Sequence, residues 1–370
     1  MECYQKLKHQ RSKSKGVEMT MLSSTSCVAE NFSYGFKKVG QDPDKILKSK
    51  DVAENSGLVK LIKAFEEWLD SVPAYIGENG IDGPYKKAVR NISFVQNNTL
   101  SLDDIPAILV SQINNPRLNK NAGIFISAMI NAVPDNEILL TEEMLLSDSP
   151  NSALNYVGYG LAKNKILVNK TILGDYACNY SKGKVINYHS MGSMAAAHST
   201  GLSLNYWNTK SFFGYRSKHV IDCGYAEGQM GNFCSGLVLD LNIPNRAHDV
   251  EAGRCSSKSA VVLSSYQNYF KAQKKYDRLL LLKYPDKTGR ILRLALPEKQ
   301  CFVPELFEYY NSLRELFEQG KDNYKNAIAA MNSLDPDPAI TVNGKVQEIL
   351  GRHQPPYYAK YRPNKKHQRK

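Results

Sequence analysis

The chain of 370 residues lacks any long hydrophobic segment. Its longest uninterrupted aliphatic run is Leu279–Leu282, whereas a membrane-spanning helix needs roughly 18–20 apolar residues. The N-terminal residues are polar and basic, without the apolar centre of a secretory signal peptide. We therefore expect an intracellular, cytoplasmic protein that has no membrane partner.

Paired cysteine motifs and familiar reaction motifs are also missing. The seven cysteines are odd in number and none has C-x₂-C spacing, which argues against a disulfide framework and a structural zinc site. The chain has no P-loop, no GxGxxG after a strand, and no HExxH or GxSxG. We predict free thiols, no cofactor and no bound metal.

The body of the chain has little net charge, although the whole sequence carries +12. Residues 351–370 contribute +7 and residues 1–16 contribute +4. Near the C-terminus, aromatic residues alternate with cations, a pattern that suits stacking on unpaired bases and contact with phosphates. The candidate RNA-binding residues are Tyr357, Tyr358, Lys360, Tyr361, Arg362, Lys365 and Lys366. The alternative interpretation is a solvated tail without a partner.

What the sequence does contain is a repeat with a period near 18 residues. An aliphatic residue followed by Asn or Asp recurs at steps of 18, 18, 17 and 18 residues. The pairs are Val168-Asn169, Ile186-Asn187, Leu204-Asn205, Ile221-Asp222 and Leu239-Asp240. A fixed period with a shared pattern indicates one structural unit stacked on copies of itself. We predict that the aliphatic residues form an inward-facing ladder and that the Asn column is structural.

Glycines recur in step with these pairs. They are Gly174, Gly183, Gly192, Gly201, Gly228 and Gly236, and we predict that they form corners with positive φ. A left-handed hexapeptide helix would need an aliphatic residue six positions after Val168, where the sequence has glycine. The pattern instead predicts a mainly β fold, a right-handed parallel β-helix with coils of about 18 residues, flanked and capped by α-helices.

The repeat resembles a known Gly-rich module. The run Val157-Gly158-Tyr159-Gly160 and the later segments 166–169, 174–177 and 183–187 are similar to the "GXGXG" β-helix found in glutamate synthase and in formylmethanofuran dehydrogenase. The resemblance covers about residues 156–242. It implies a structural spacer and docking surface, with catalytic centres elsewhere.

The remaining patterns divide the chain into five segments. These are a polar, largely disordered segment (1–50), a helical region (51–135), the β-helix (136–250), a mostly helical region (255–335) and a basic flexible tail (336–370). Helices are predicted over 57–70, 102–113, 121–133, 266–283 and 304–333, and strands over 137–141, 260–263 and 291–296. We expect the helical flanks to cover the ends of the solenoid, because those ends expose unpaired strands.

Reactive side chains are concentrated in the repeat. The catalytic candidates are Cys178, His189, His198, His219 and Cys223, with Asp222, Glu227 and Cys234 nearby in sequence. A Cys–His pair can form an activated thiolate. However, His189 and His198 occupy positions where adjacent coils carry Trp207 and Tyr180, which favours a packing or surface role.

Three functions are compatible with these patterns. The leading hypothesis is a scaffold without its own catalytic centre that contacts a protein partner or a second copy of itself. The second is a component of an oxidoreductase complex, on the resemblance alone. The third is an RNA-associated protein that acts through its basic ends.

Overall fold

A computed structural model of the chain describes residues 56–73, 76–77, 80–95, 100–115, 117–147, 149–227, 229–241, 251–252, 261–265, 279–283, 292–293 and 304–352. The helices are α1 (Ser56–Ser71), α2 (Asp82–Ser93), α3 (Ile105–Ser111), α4 (Gly123–Ala132), α5 (Glu142–Leu145), α6 (Pro304–Glu318), α7 (Tyr324–Asn332) and α8 (Pro338–Arg352). The longer strands are β1 (Glu137–Thr141), β2 (Ile166–Lys170), β3 (Lys184–Asn187), β4 (Leu202–Asn205), β6 (His219–Asp222), β9 (Leu237–Asp240), β11 (Val261–Ser265) and β12 (Leu279–Lys283). The two-residue strands are β5 (Asn208–Thr209), β7 (Tyr225–Ala226), β8 (Gln229–Met230), β10 (Glu251–Ala252) and β13 (Leu292–Arg293).

The repeat folds into a β-solenoid of about four turns. Strands β1, β2, β3, β4, β6, β9 and β11 pair in that order and are all parallel, while β12 and β13 extend the sheet in antiparallel fashion. Val168, Ile186, Leu204, Ile221 and Leu239 are successive register partners across this sheet. The predicted stacking of the five aliphatic residues is therefore confirmed.

The direction in which this ladder faces was predicted wrongly. Val168 and its partners belong to a core shared with helices α6, α7 and α8, including Leu313 and Phe317. The solenoid interior is lined by the preceding position, which is Leu167, Val185, Val220 and Val238 in four of the coils. Successive strand residues point to opposite faces, and here both faces are apolar and buried.

The repeat glycines provide clearance between coils, which corrects their predicted role as positive-φ corners. Gly174, Gly183, Gly192, Gly201 and Gly236 are not among the residues with positive φ. A Cβ on Gly201 would collide with the backbone of Gly183 in the preceding coil. Gly228 lies outside the described residues.

The two helical flanks cover different parts of the solenoid. The N-terminal helices pack on its first coil, where the backbone of Asn155 leaves no room for a Cβ at Gly123 of α4 and the Ser127 hydroxyl donates to the Tyr156 carbonyl at 2.6 Å. Helices α6 to α8 lie instead along the outer face of the sheet. The hydroxyl of Tyr206 there donates to the Phe317 carbonyl at 2.6 Å. Within the part of the chain that the structure describes, the N-terminal flank covers an end of the solenoid as predicted, whereas α6 to α8 lie along its side.

Several predicted elements match and others need correction. The helices predicted over 57–70, 102–113 and 121–133 and the strand predicted over 137–141 are confirmed, with short 3₁₀ turns before α3 and α4. The helix predicted over 266–283 is wrong at its end, because 279–283 form strand β12; residues 266–278 lie outside the described part. The long helix predicted over 304–333 is two helices.

The segment predicted as a flexible tail over 336–370 begins with an ordered helix. Helix α8 buries Val342, Val346 and Ile349, and these residues belong to the core on the outer face of the sheet. Their spacing of four and three residues is helical, so the buried face of this helix could have been predicted from the sequence. The basic residues beyond 352 lie outside the described residues.

Candidate interaction surface

One corner of the solenoid has an unusual backbone in which every second residue has positive φ. The residues are Tyr176, Cys178 and Tyr180 in one coil, Met194, Ala196 and His198 in the next, and Phe212, Gly214 and Arg216 in the third. Non-glycine residues are seldom found in this region, because Cβ crowds the following carbonyl. Tyr156, Gly158 and Gly160 of the preceding coil have the same pattern, so four consecutive coils repeat it and it is a built feature of the fold.

Hydrogen bonds between coils hold this backbone in place. The amide of Tyr176 donates to the Ser193 carbonyl at 2.9 Å, and the amide of His198 donates to the Tyr215 carbonyl at 2.7 Å. The middle residue of each triplet points into the solenoid, where Cys178 and Ala196 are fully buried. The third residue of each triplet projects outward, as the exposed Tyr180 and Arg216 show.

A serine column that the sequence analysis missed closes the same corner. Ser181, Ser199 and Ser217 are buried and lie 18 residues apart. The amide of Ser181 donates to Oγ of Ser199 at 3.2 Å, and the amide of Ser199 donates to Oγ of Ser217 at 3.1 Å. The Ser199 hydroxyl also donates to the Cys178 carbonyl at 3.0 Å. The regular spacing was the available signal.

Outside this corner runs a continuous row of four rings with one cation, here called the aromatic stripe: the rings of Tyr180, His198, Tyr215 and Phe233, and the guanidinium of Arg216. The rings of Tyr180 and His198 stack face to face, with centroids 4.9 Å apart and planes 8° apart. Tyr215 then meets His198 edge to face at 5.9 Å and Phe233 edge to face at 5.5 Å. The stripe therefore joins four coils through ring contacts.

Both ends of the stripe are open to solvent along their outer side. Tyr180 is 40% exposed and Phe233 is 45% exposed. At its first end, Tyr180 packs against the buried ring of Tyr159 at 5.5 Å, which α2 covers through Tyr85. Large apolar groups at this exposure, aligned along one edge, are typical of a binding surface rather than of isolated surface residues.

A cation is fixed on these rings. The guanidinium carbon of Arg216 lies 5.2 Å from the Tyr215 centroid and 5.8 Å from the Phe233 centroid. Guanidinium groups bind ring faces through the ring quadrupole and can still donate to a carboxylate from their free edge. The stripe thus combines an apolar edge with an oriented positive charge.

The candidate cysteines lie in surroundings that disfavour the thiolate form. Burial raises the pKa of Cys178 and of Cys234 to about 12. The pKa of Cys223, which lies under the C-terminal helices, is raised by burial and then by the carboxylates of Asp222, Glu318 and Asp240. Thiolates are the reactive form of cysteine, so none of these positions favours nucleophilic chemistry.

The three candidate histidines occupy separate places. His219 is buried, its Nδ1 accepts from the Leu237 amide at 3.2 Å, and its Nε2 lies 4.0 Å from Oδ1 of Asp337. Burial lowers the pKa of His219 to about 4; Lys218 acts in the same direction and Asp337 opposes it. This imidazole is neutral and structural.

The rings of His189 and His198 both pack against aromatic rings. The ring of His189 lies 6.5 Å from Trp207 in the next coil, and its Nε2 is 3.7 Å from the Glu142 carboxylate on α5. His198 lies within the aromatic stripe. The prediction that these residues replace aromatics at repeating positions and pack there is confirmed by these ring contacts.

Two further findings bear on the kind of site. Within the described ranges, no group of three or more His, Cys, Asp or Glu side chains is placed to hold a metal ion, and no helix is long and apolar enough to cross a membrane. The candidate RNA-binding residues between Tyr357 and Lys366 lie outside those ranges.

Comparison of the chain with protein-family models, curated proteins and solved structures found no match.

Proposed function

We propose that this protein is a β-solenoid scaffold that binds a protein partner through the aromatic stripe. The observation that supports this most directly is the alignment of Tyr180, Tyr215 and Phe233 with the ring-held Arg216 along one exposed edge. Tyr and Arg are enriched among the residues that dominate protein interfaces.

The rigidity of the stripe favours binding. Its rings are held by contacts with rings of the next coil, and the backbone beneath them is hydrogen-bonded from coil to coil. Side chains that are ordered before binding lose little conformational entropy when a partner arrives. The expected partner presents an apolar strip beside a carboxylate that pairs with Arg216.

The resemblance to the GXGXG module supports the same role. In that module the Gly-rich β-helix is a spacer and docking surface, so a docking role here needs no catalytic centre of its own. We extend the proposal to a place in a larger assembly, for which an oxidoreductase complex is one candidate on this resemblance alone.

The test compares variants at residues of similar exposure on and off the stripe. The stripe variant combines Tyr180→Ser with Phe233→Ser, and the matched control is Trp207→Ser, whose ring is 55% exposed at another corner. Each is used to capture partners from a native extract, followed by titration of the purified partner. We expect the stripe variant to weaken binding by roughly tenfold or more, while Trp207→Ser binds like the unmodified chain.

Equal recovery of the partner by all three proteins would exclude the stripe as the docking surface. A separate arm uses single-stranded RNA and a chain truncated after Arg352, since the basic residues 353–370 are the sequence's own argument for an RNA role. Salt-sensitive RNA binding that disappears on truncation would favour the RNA function instead.

A further inference from the structure

A buried amide ladder runs along the other corner of the solenoid. Nδ2 of Asn169 donates to Oδ1 of Asn187 at 2.7 Å, and Nδ2 of Asn187 donates to Oδ1 of Asn205 at 2.8 Å. Asn205 in turn donates to Oδ1 of Asp222 at 2.7 Å. Each amide accepts from one coil and donates to the next, so the ladder needs a donor at every step.

At Asp222 the residue type changes from amide to acid, and the next member, Asp240, is an acid too. The two are register partners in β6 and β9, and they are only 1% and 2% exposed. Neighbouring strands lie about 4.8 Å apart, so the two carboxyl groups face each other across one strand spacing. Two negative charges at that distance in a buried place are strongly disfavoured.

One oxygen of Asp222 already accepts two hydrogen bonds. Its Oδ1 accepts from Nδ2 of Asn205 at 2.7 Å and from the Gly224 amide at 3.1 Å. Oδ1 of Asn205 accepts the same two kinds of bond, from the preceding amide of the ladder and from the backbone amide two residues on, so the second oxygen of Asp222 corresponds to Nδ2 of the asparagines. A protonated carboxylic acid has one O–H donor, which is what the next step of the ladder requires.

We propose that Asp222 retains a proton up to near-neutral pH and donates it to the carboxylate of Asp240, so that the proton completes the ladder and joins the β6 coil to the β9 coil. Protonated Asp222 then has the shape and the donor of an asparagine. Loss of the proton places two carboxylates against each other and weakens the contact between these coils.

The charged surroundings are consistent with a retained proton. Cys223 is adjacent in sequence, and Glu318 and Lys321, at the end of α6 and just beyond it, act on that thiol, as does Asp240. Tyr310 of α6 donates its hydroxyl to the backbone carbonyl of Asp240 at 2.6 Å.

The balance of these effects raises the pKa of Asp222 to about 7. Burial is the largest cause and Asp240 adds to it, while the bonds from Asn205 and Gly224 act in the opposite direction. An unfolded Asp releases its proton near pH 4, so the folded state binds this proton more tightly than the unfolded state. Stability conferred by the proton therefore declines from about pH 4 to about pH 7 and is constant above that.

The test is Asp222→Asn, which supplies the donor without a titrating proton. The matched control is Asp175→Asn, a half-buried acid in another column whose Oδ1 accepts from the Ser193 amide at 2.8 Å. Thermal unfolding of the three proteins is followed from about pH 5 to about pH 9. We expect Asp222→Asn to gain in melting temperature over the unmodified chain as the pH rises to about 7, and the control to show no such trend.

A second readout is the carboxyl ¹³C resonance of Asp222 in the unmodified chain, assigned by its absence in Asp222→Asn. The proposal expects this carbon to titrate near neutral pH. It is overturned if the resonance titrates in the ordinary aspartate range, or if the melting temperature of Asp222→Asn differs from that of the unmodified chain by the same amount at every pH.

Discussion

The two corners of the solenoid repeat with the same period but are stabilised by different interactions. At the ladder corner, Asn169, Asn187 and Asn205 satisfy one another through side-chain hydrogen bonds in a fully buried column. At the stripe corner, the backbone takes positive φ at alternate residues, and ring contacts cover it on the outside. The difference shows that a repeat fixes the path of the chain in every coil, while different interactions stabilise each corner.

Breaking the ladder is expected to have the largest effect on stability. Asn187→Leu removes the acceptor of one Asn169 N–H and one of the two donors to the Asn205 oxygen in a buried column, while the bonds to the Thr171 carbonyl and from the Trp207 amide remain. Each buried group that loses a partner costs about 1–3 kcal/mol, so we expect a loss of roughly 2–6 kcal/mol in the free energy of unfolding. Chemical denaturation measures it.

The control for this change is Asn164→Ala. The amide of Asn164 bonds only at the surface, to Oδ1 of Asn136, and its loss should change the free energy of unfolding by less than about 0.5 kcal/mol. Equal losses for the two variants would contradict a special role for the ladder.

At the stripe corner, removing one ring should cost less. His198→Ala deletes the stacked contact with Tyr180 and the edge contact with Tyr215. Aromatic pairs contribute about 0.5–1.5 kcal/mol beyond simple burial, and we expect a loss of that size. A loss as large as that of Asn187→Leu would remove the contrast between the two corners, and small-molecule turnover that disappears with this ring while the fold is retained would instead indicate catalysis.

The smallest effect, and one of opposite sign, is expected from relieving the backbone. Ala196 has a φ of 54°, and the equivalent positions Gly158 and Gly214 in other coils are already glycine. Ala196→Gly should stabilise the fold by up to about 1 kcal/mol, because glycine adopts this region without a steric penalty. Buried Ala177, whose φ is not positive, is the control: Ala177→Gly should destabilise by about 1 kcal/mol.

Some features of the site could be predicted from the sequence and others could not. The dipeptides at steps near 18 identified the stacked column that carries the amide ladder, and the alignment of His198 with Tyr180 indicated ring packing. The positive φ of Tyr176, Cys178 and Tyr180 had no such signal, because none of these residue types is specific for that conformation. The serines of the same corner, also 18 residues apart, offered a signal that was overlooked.

The sequence by itself determined the period, the stacking and the identity of the polar column, because repeated residues must meet their copies when coils pile on one another. It did not determine which side of each strand is inside. Leu167 and Val168 are equally apolar neighbours that point to opposite faces, and only the docking of α6 to α8 on one face decided that Val168 lies outside the coil. The tertiary structure likewise placed Asp222 against Asp240 in a buried site, where burial and the neighbouring carboxyl group raise the pKa of Asp222 to about 7.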